Sequence, residues 1–162
     1  MTEVAPFNVI DKFEELLLKG EPIDNPLKHR FLPGMYMREI FMPSEVNGKQ
    51  NVVTSMIHNT THAYFILKGK VSVFTEEGGV QMLEAPYIGT TIPGTRRVLL
   101  IHEDCIWVTV HPTLIQPKDS SEKETMEAVQ KITDEIIDKR ENPLLKGNYI
   151  NNFFVPSTFK IT

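Results

Sequence analysis

At 162 residues the chain fits one domain, long enough to bury most of its apolar surface without disulfides or a structural metal. Its composition is that of a globular protein, 41% hydrophobic and 23% charged, and a net charge of -4 argues against binding a nucleic-acid polymer, which needs a basic field. One cysteine, Cys105, excludes an internal disulfide framework and points to a reducing, cytoplasmic setting, and with no basic-then-apolar opening and no run of ~18 apolar residues neither a secretory signal nor a membrane span is expected.

The first element in chain order is an amphipathic helix over Phe7 to Leu18, with Phe7, Ile10, Phe13 and Leu17 on one face and Gly20 and Pro22 ending it. Glu21 to Pro33 carries three prolines and reads as an irregular connection over the surface. Residues 1–34 form this N-terminal part. From residue 35 the character changes. Met35 to Pro43, Asn51 to His58, Ala63 to Phe74, Gly79 to Pro86, Thr95 to His102 and Cys105 to Val110 are short runs rich in Val, Ile, Phe and Tyr, which predicts an antiparallel all-β core over 35–115. Turns are expected at Asn47-Gly48, at Glu77-Gly78-Gly79, at Pro93-Gly94, and at Glu103-Asp104 near a hairpin tip. Residues 116–162 then hold a helix opening at Asp119 to Ser121, with capping-box spacing from Ser121 to Glu124. A stripe of Met126, Val129, Ile132 and Ile136 carries it to about Arg140, before Pro143. The tail beyond, with Tyr149, Ile150, Phe153, Phe154, Phe159 and Ile161, is too apolar for a solvated end and is expected to dock on the sheet or on a neighbouring subunit.

The stretch Met56-Ile57-His58-Asn59-Thr60-Thr61-His62 leading to Gly69 resembles the first cupin motif, H-x-H-x(3,4)-E-x(6)-G. Counting back from Gly69 puts His62 at the glutamate position, His58 at the second histidine and Met56 at the first. Pro86, Pro93 and Gly94 punctuate a partial counterpart of the second motif, in which Arg97 stands where that motif has its histidine. Segments from Tyr36-Met37-Arg38 to His111-Pro112 are similar to small cupin-domain proteins of the kind that bacteriophages and prophages encode. In these Thr61 is often a glutamate. The resemblance implies a mainly β, single cupin-type sandwich or barrel with an N-terminal helix and a C-terminal helix plus apolar tail. It also implies a pocket, but one that has lost part of the family's metal-ligand set.

An arginine in such a pocket repels a divalent metal and attracts a carboxylate or phosphate through its forked donors. Period-two alternation lets only one of Arg96 and Arg97 face inward, leaving the other on the surface. His58 and His62 suit ligand hydrogen bonding, or metal binding through neutral imidazoles. His102 is either a turn histidine held by Glu103 and Asp104 or a replacement ligand. Trp107, Thr109 and His111 share one strand face, set against Ile106, Val108 and Val110, whose face reads as core. Trp107 fits either a stacking plate or a packed side chain with its N–H satisfied, and Tyr64, in the parity of His62, either a pocket hydroxyl or packing. Cys105 beside Asp104 is an unsupported nucleophile.

The candidate ligand-binding residues are therefore His58, His62, Tyr64, Arg96, Arg97, His102, Trp107 and His111. The first expectation is a non-catalytic binder that captures a small anionic molecule, such as a nucleotide-derived signal, without a cofactor. The alternative is a divalent-metal cupin enzyme, an oxygenase, isomerase or nucleotide-cleaving hydrolase, with His58 and His62 joined by His102 or by His111. A homo-oligomer through a sheet edge or the apolar tail is the expected assembly.

Overall fold

The computed structural model describes residues 10, 25–55, 57–137, 149–150 and 153–154. The expected helix over Phe7 to Leu18 lies outside these, apart from Ile10, which is fully buried and donates its N–H to Glu76 Oε1 at 3.4 Å. The tail's expected docking lies outside them too.

Nine strands precede the helix: β1 (Leu27–Leu32), β2 (Met35–Met42), β3 (Glu45–Val46), β4 (Lys49–Gln50), β5 (Val52–Thr54), β6 (His62–Thr75), β7 (Gly79–Glu84), β8 (Tyr87–Thr91) and β9 (Arg97–Pro112). All strand pairings are antiparallel. A mainly β core followed by a C-terminal helix is what the strand rhythm predicts.

Two long strands organise the sheet. Residues 105–112 of β9 pair with β2, which pairs with β1, while residues 98–100 pair with β5. In the same way residues 62–66 of β6 pair with β8 and residues 70–75 with β7. The strands thus pass from one half of the sheet to the other, and the register between them shifts between Ile66 and Val71. The inward face of β6 switches parity there, from Tyr64 and Ile66 to Val71 and Val73. Gly69 makes the switch feasible. Its φ of 98° is left-handed, and a Cβ there would collide with the backbone of Asp104 and lie 2.8 Å from the Cys105 Cα.

The two halves close on a shared core of Met42, Tyr64, Ile66, Val71, Leu99, Ile101 and Trp107 with their neighbours. A second cluster joins Tyr36 to the helix α1 (Glu122–Ile136) through Val129, Ile132 and Ile136. Ser121 caps this helix as its spacing predicts, its Oγ accepting the Glu124 N–H at 3.2 Å. The helix ends at Ile136, short of the expected Arg140, because Ile137 turns extended and bridges to His58.

Several expectations are corrected. Leu27–Leu32 is a strand within the stretch read as irregular, since Pro26 and Pro33 flank it without interrupting it. Tyr87–Thr91 is a strand as well. Thr95 to His102 and Cys105 to Val110 belong to one strand, so Glu103-Asp104 is no hairpin tip. It sits at the bend, where the Asp104 carboxylate accepts the Ser44 N–H at 2.9 Å and the Ser44 hydroxyl at 3.1 Å. Asn47 and Gly48 do form a hairpin tip, both with positive φ.

Candidate functional site

Three histidines arrive at one place from different elements. His58 lies in the connection before β6, His62 opens β6, and His111 stands near the end of β9. Because Ala63 pairs with Val110, antiparallel register sets His62 beside His111 on the inner face. Their ring centroids are 4.4 Å apart, with His58 at 4.5 Å from His62 and 5.4 Å from His111. One nitrogen from each lies within 4.8 Å of the others, and all three residues are buried.

The His58 connection is held from two sides. Gly94 N–H donates to the His58 carbonyl at 2.9 Å, Asn59 N–H donates to the Ile136 carbonyl at 2.8 Å, and Asn59 Nδ2 donates to the Glu135 carbonyl at 3.2 Å. The last turn of α1 is thereby fastened to the loop that carries His58. Helix packing and imidazole placement are one structural problem here.

Burial is the main cause that holds the three imidazoles neutral. It pushes His58 well below its ordinary value, helped by His62, His111, Arg38 and Arg97. It lowers His62 against the opposing Thr60 carbonyl, and brings His111 down to about 3, with His62 and Arg38 adding to the effect. Neutral rings keep a lone pair. His62 Nδ1 lies 3.3 Å from the Thr60 carbonyl oxygen, which fixes that nitrogen as the donor and leaves Nε2 the lone pair. His111 Nε2 lies 2.9 Å from Thr109 Oγ1, while His111 Nδ1 and His58 Nε2 are buried with no hydrogen-bond partner. A buried polar atom without a partner costs about 1–3 kcal/mol, so two in one cluster ask for an occupant.

A metal ion fits this donor set. Imidazole nitrogens suit zinc, copper, iron or nickel, the rings are deprotonated, and His62 has the backbone-carbonyl partner that orients a ligating ring. One ion with tetrahedral bonds of about 2.1 Å needs its ligand nitrogens roughly 3.4 Å apart, so these three, which lie within 4.8 Å of one another, would have to draw together to hold it.

Beside the cluster is a cavity of about 70 Å³ between the two halves of the sheet. His58, His62, Arg38, Arg97 and Trp107 line it, together with threonines 54, 91 and 109 and an apolar wall of Ile40, Met42, Val53 and Leu99. Among the described residues the lining holds two guanidiniums and no carboxylate. The Arg97 guanidinium carbon sits 5.0 Å from the centre of the Tyr64 ring, which stacks on Trp107 at 4.6 Å and 8°. Tyr64 needs Gly89 opposite it, since a Cβ there would run into the phenol ring.

The structure sorts the sequence candidates. His58, His62, Arg97 and Trp107 meet in the cavity, and His111 joins the imidazole cluster behind it. Tyr64 supports Arg97 from the core and does not line the cavity. His102 stands apart: it is exposed on the outer face, its Nε2 2.6 Å from Ser72 Oγ, and the histidines that meet are His58, His62 and His111. Arg96 is not a surface residue but buried, lining a separate cleft with Glu76, Glu77 and Pro93. The face of Trp107, Thr109 and His111 is the inner one, whereas on the opposite face only Val108 is fully buried. Arg38 escaped the sequence reading, although its parity with Tyr36 and Met42 on β2 places it inward. Cys105 is buried and its thiol is pushed up to about 12 by desolvation, far from a nucleophile.

No family model and no curated protein matches the sequence. Among solved structures the chain is similar to a putative ethanolamine utilization protein Q from Salmonella typhimurium LT2, at 14% identity and a TM-score of 0.45 over 57% of this chain and 72% of that one. It is also similar to a cupin-2 domain containing protein from Shewanella frigidimarina NCIMB 400, at 14% identity and 0.41 over 65% and 93%. A cupin superfamily protein from Desulfitobacterium hafniense DCB-2 aligns at 7% identity and 0.46 over 60% and 85%. Likeness at this level transfers no residue role and no activity.

Proposed function

We propose that the protein is a metal-binding protein of the three-histidine type, with His58, His62 and His111 as the ligands and a small anion held beside the ion by the arginine-lined cavity. The observation that carries this reading is the buried group of His58, His62 and His111, one ring nitrogen of each within 4.8 Å of the others, in which His58 Nε2 and His111 Nδ1 have no hydrogen-bond partner. A divalent ion held by these three imidazoles would supply Lewis acidity beside the cavity. The chain's own residues do the rest. The Thr60 carbonyl holds His62 in the tautomer whose Nε2 keeps the lone pair, Thr109 Oγ1 lies 2.9 Å from His111 Nε2, and Arg97 offers its N–H groups to an anion.

Metal analysis of protein purified without an affinity tag, then reconstituted with zinc, iron(II), nickel or cobalt, tests this. About one equivalent is expected, falling below a tenth in His111→Ala and His58→Ala while His102→Ala keeps its full complement. Less than a tenth of an equivalent of every metal in the wild type would overturn it.

A second reading, metal-free capture of an anion, is favoured by the positive, carboxylate-free lining. The nucleotide-derived ligand expected from the sequence sits less well in it, because about 70 Å³ is far below the roughly 300–1,000 Å³ of pockets that enclose drug-sized molecules.

A further inference from the structure

Cavity volume and wall chemistry together restrict what the anion can be. A dry cavity of roughly 150 Å³ accommodates benzene, so about 70 Å³ encloses a molecule of fewer heavy atoms, with a little more protruding at the mouth. The wall is mixed. On one side is Arg97, its guanidinium carbon 5.0 Å from the centre of the Tyr64 ring and the Tyr64 hydroxyl a polar neighbour, with its remaining N–H groups as donors. The lining also carries the aliphatic and thioether surface of Ile40, Met42, Val53 and Leu99, interspersed with the hydroxyls of Thr54, Ser55, Thr91 and Thr109. A phosphate or sulfate, polar all round, would lose hydration against the apolar part of that lining without replacement. A planar anion with one apolar end satisfies both the guanidinium and the apolar surface.

We infer that the cavity takes a short aliphatic monocarboxylate of about four to six heavy atoms, its carboxylate paired with the edge of Arg97 and its alkyl end against Ile40, Met42, Val53 and Leu99. The inference rests on the anion-binding half of the proposed function and is independent of the metal half. Arg97 stands clear of any described ion pair, since the ion pairs among the described residues join Lys28 and Arg30 to Glu39. Tyr64, stacked on Trp107, holds a fixed ring beside the guanidinium.

Trp107 is the protein's one tryptophan and lines the cavity, so its fluorescence reads occupancy directly. Chelator-treated protein and reconstituted protein are each titrated with sodium acetate, propionate, isobutyrate, phosphate and adenosine monophosphate at constant ionic strength. Saturable fluorescence changes are expected for propionate and isobutyrate, at least tenfold tighter than for phosphate or the nucleotide. Arg97→Met should weaken propionate at least tenfold, and Arg97→Lys should recover only part of that. Ile40→Val, which enlarges the cavity by one methylene and keeps the charge, should shift preference toward the longer acid and so reads the site even if Arg97→Met folds poorly. Tighter binding of phosphate or nucleotide, or no saturable change with any carboxylate, would overturn the inference. If carboxylates bind chelator-treated protein that takes up no metal, the metal half of the function fails while this inference stands. If metal binds and carboxylates do not, the reverse holds.

Discussion

Protonating a buried imidazole requires moving a charge out of water, and four of the five histidines are placed where that is unfavourable. His29 is lowered to about 4 by burial and by Arg38, and His111 to about 3, while His58 and His62 move the same way. An unfolded chain takes up these protons near pH 6.5. Below that value the unfolded state binds more protons than the folded one, so stability is full above about pH 6.5 and is lost as the pH falls toward 4 and then 3. Urea midpoints of chelator-treated protein should therefore drop across this window with a slope of several protons. His29→Gln, which keeps a polar group near the Tyr36 hydroxyl now 2.7 Å from His29 Nδ1, should make the slope shallower by about one proton. A midpoint constant from pH 7 to 4 would contradict the placement of these rings. His58 and His62 were legible because their spacing from Gly69 is a local pattern. His111 was legible only by strand parity, and choosing it over His102 required the register of β9 on β6, a long-range quantity. Arg38 was missed for a related reason, since an inward arginine on a middle strand looks from sequence like a surface charge.

At the level of elements, the site depends on a bend more than on any strand. The parity change in β6 lets Tyr64 and Val71 both face inward although they differ by an odd number of residues, and Gly69 is where the switch occurs. Gly69→Ala combines a left-handed φ with a collision against the backbone of β9, and should cost about 2–3 kcal/mol. Gly34→Ala, with a φ of 75° and open space around its Cβ, should cost nearer 1 kcal/mol. Urea denaturation of the two variants side by side measures the contrast, and equal losses would show that close packing at the bend does not matter. The sequence reading divided β9 in two at Glu103-Asp104 because acidic pairs mark turns, whereas here the acid is used inside a strand, with Asp104 held by Ser44 sixty residues earlier. It passed over β8 because Gly89 dilutes a short run of β-formers, and that glycine is required by the Tyr64 ring packed on it. Both misreadings come from side chains serving contacts distant in sequence. The C-terminal helix was legible because its cap and stripe are local, and its early end was not, because Ile137 is held by the His58 bridge.

At the scale of the whole molecule, the two halves of the sheet bring the proposed cation site and the proposed anion site together. His58 and His62 both respond to the charge of Arg97, so an ion bound at the histidines would respond to it as well. A divalent ion and a guanidinium in one small cavity repel each other, and an anion between them relieves that repulsion. Metal and carboxylate should therefore bind with positive coupling, and linkage requires each to raise the affinity of the other by the same factor. A factor of about ten or more is expected, since coupling of 1–3 kcal/mol corresponds to roughly 5–150-fold. Propionate titrations of chelator-treated and metal-loaded protein, followed by Trp107 fluorescence, give one side of the cycle. Metal titrations against a competing chelator, with and without saturating propionate, give the other. The coupling should also survive 0.5 M sodium chloride better than an exposed pair would, because the three histidines are buried and Arg97 is partly buried. Independent binding, with the two factors equal to one, would mean that the histidine cluster and the Arg97 wall serve separate purposes despite sharing a cavity.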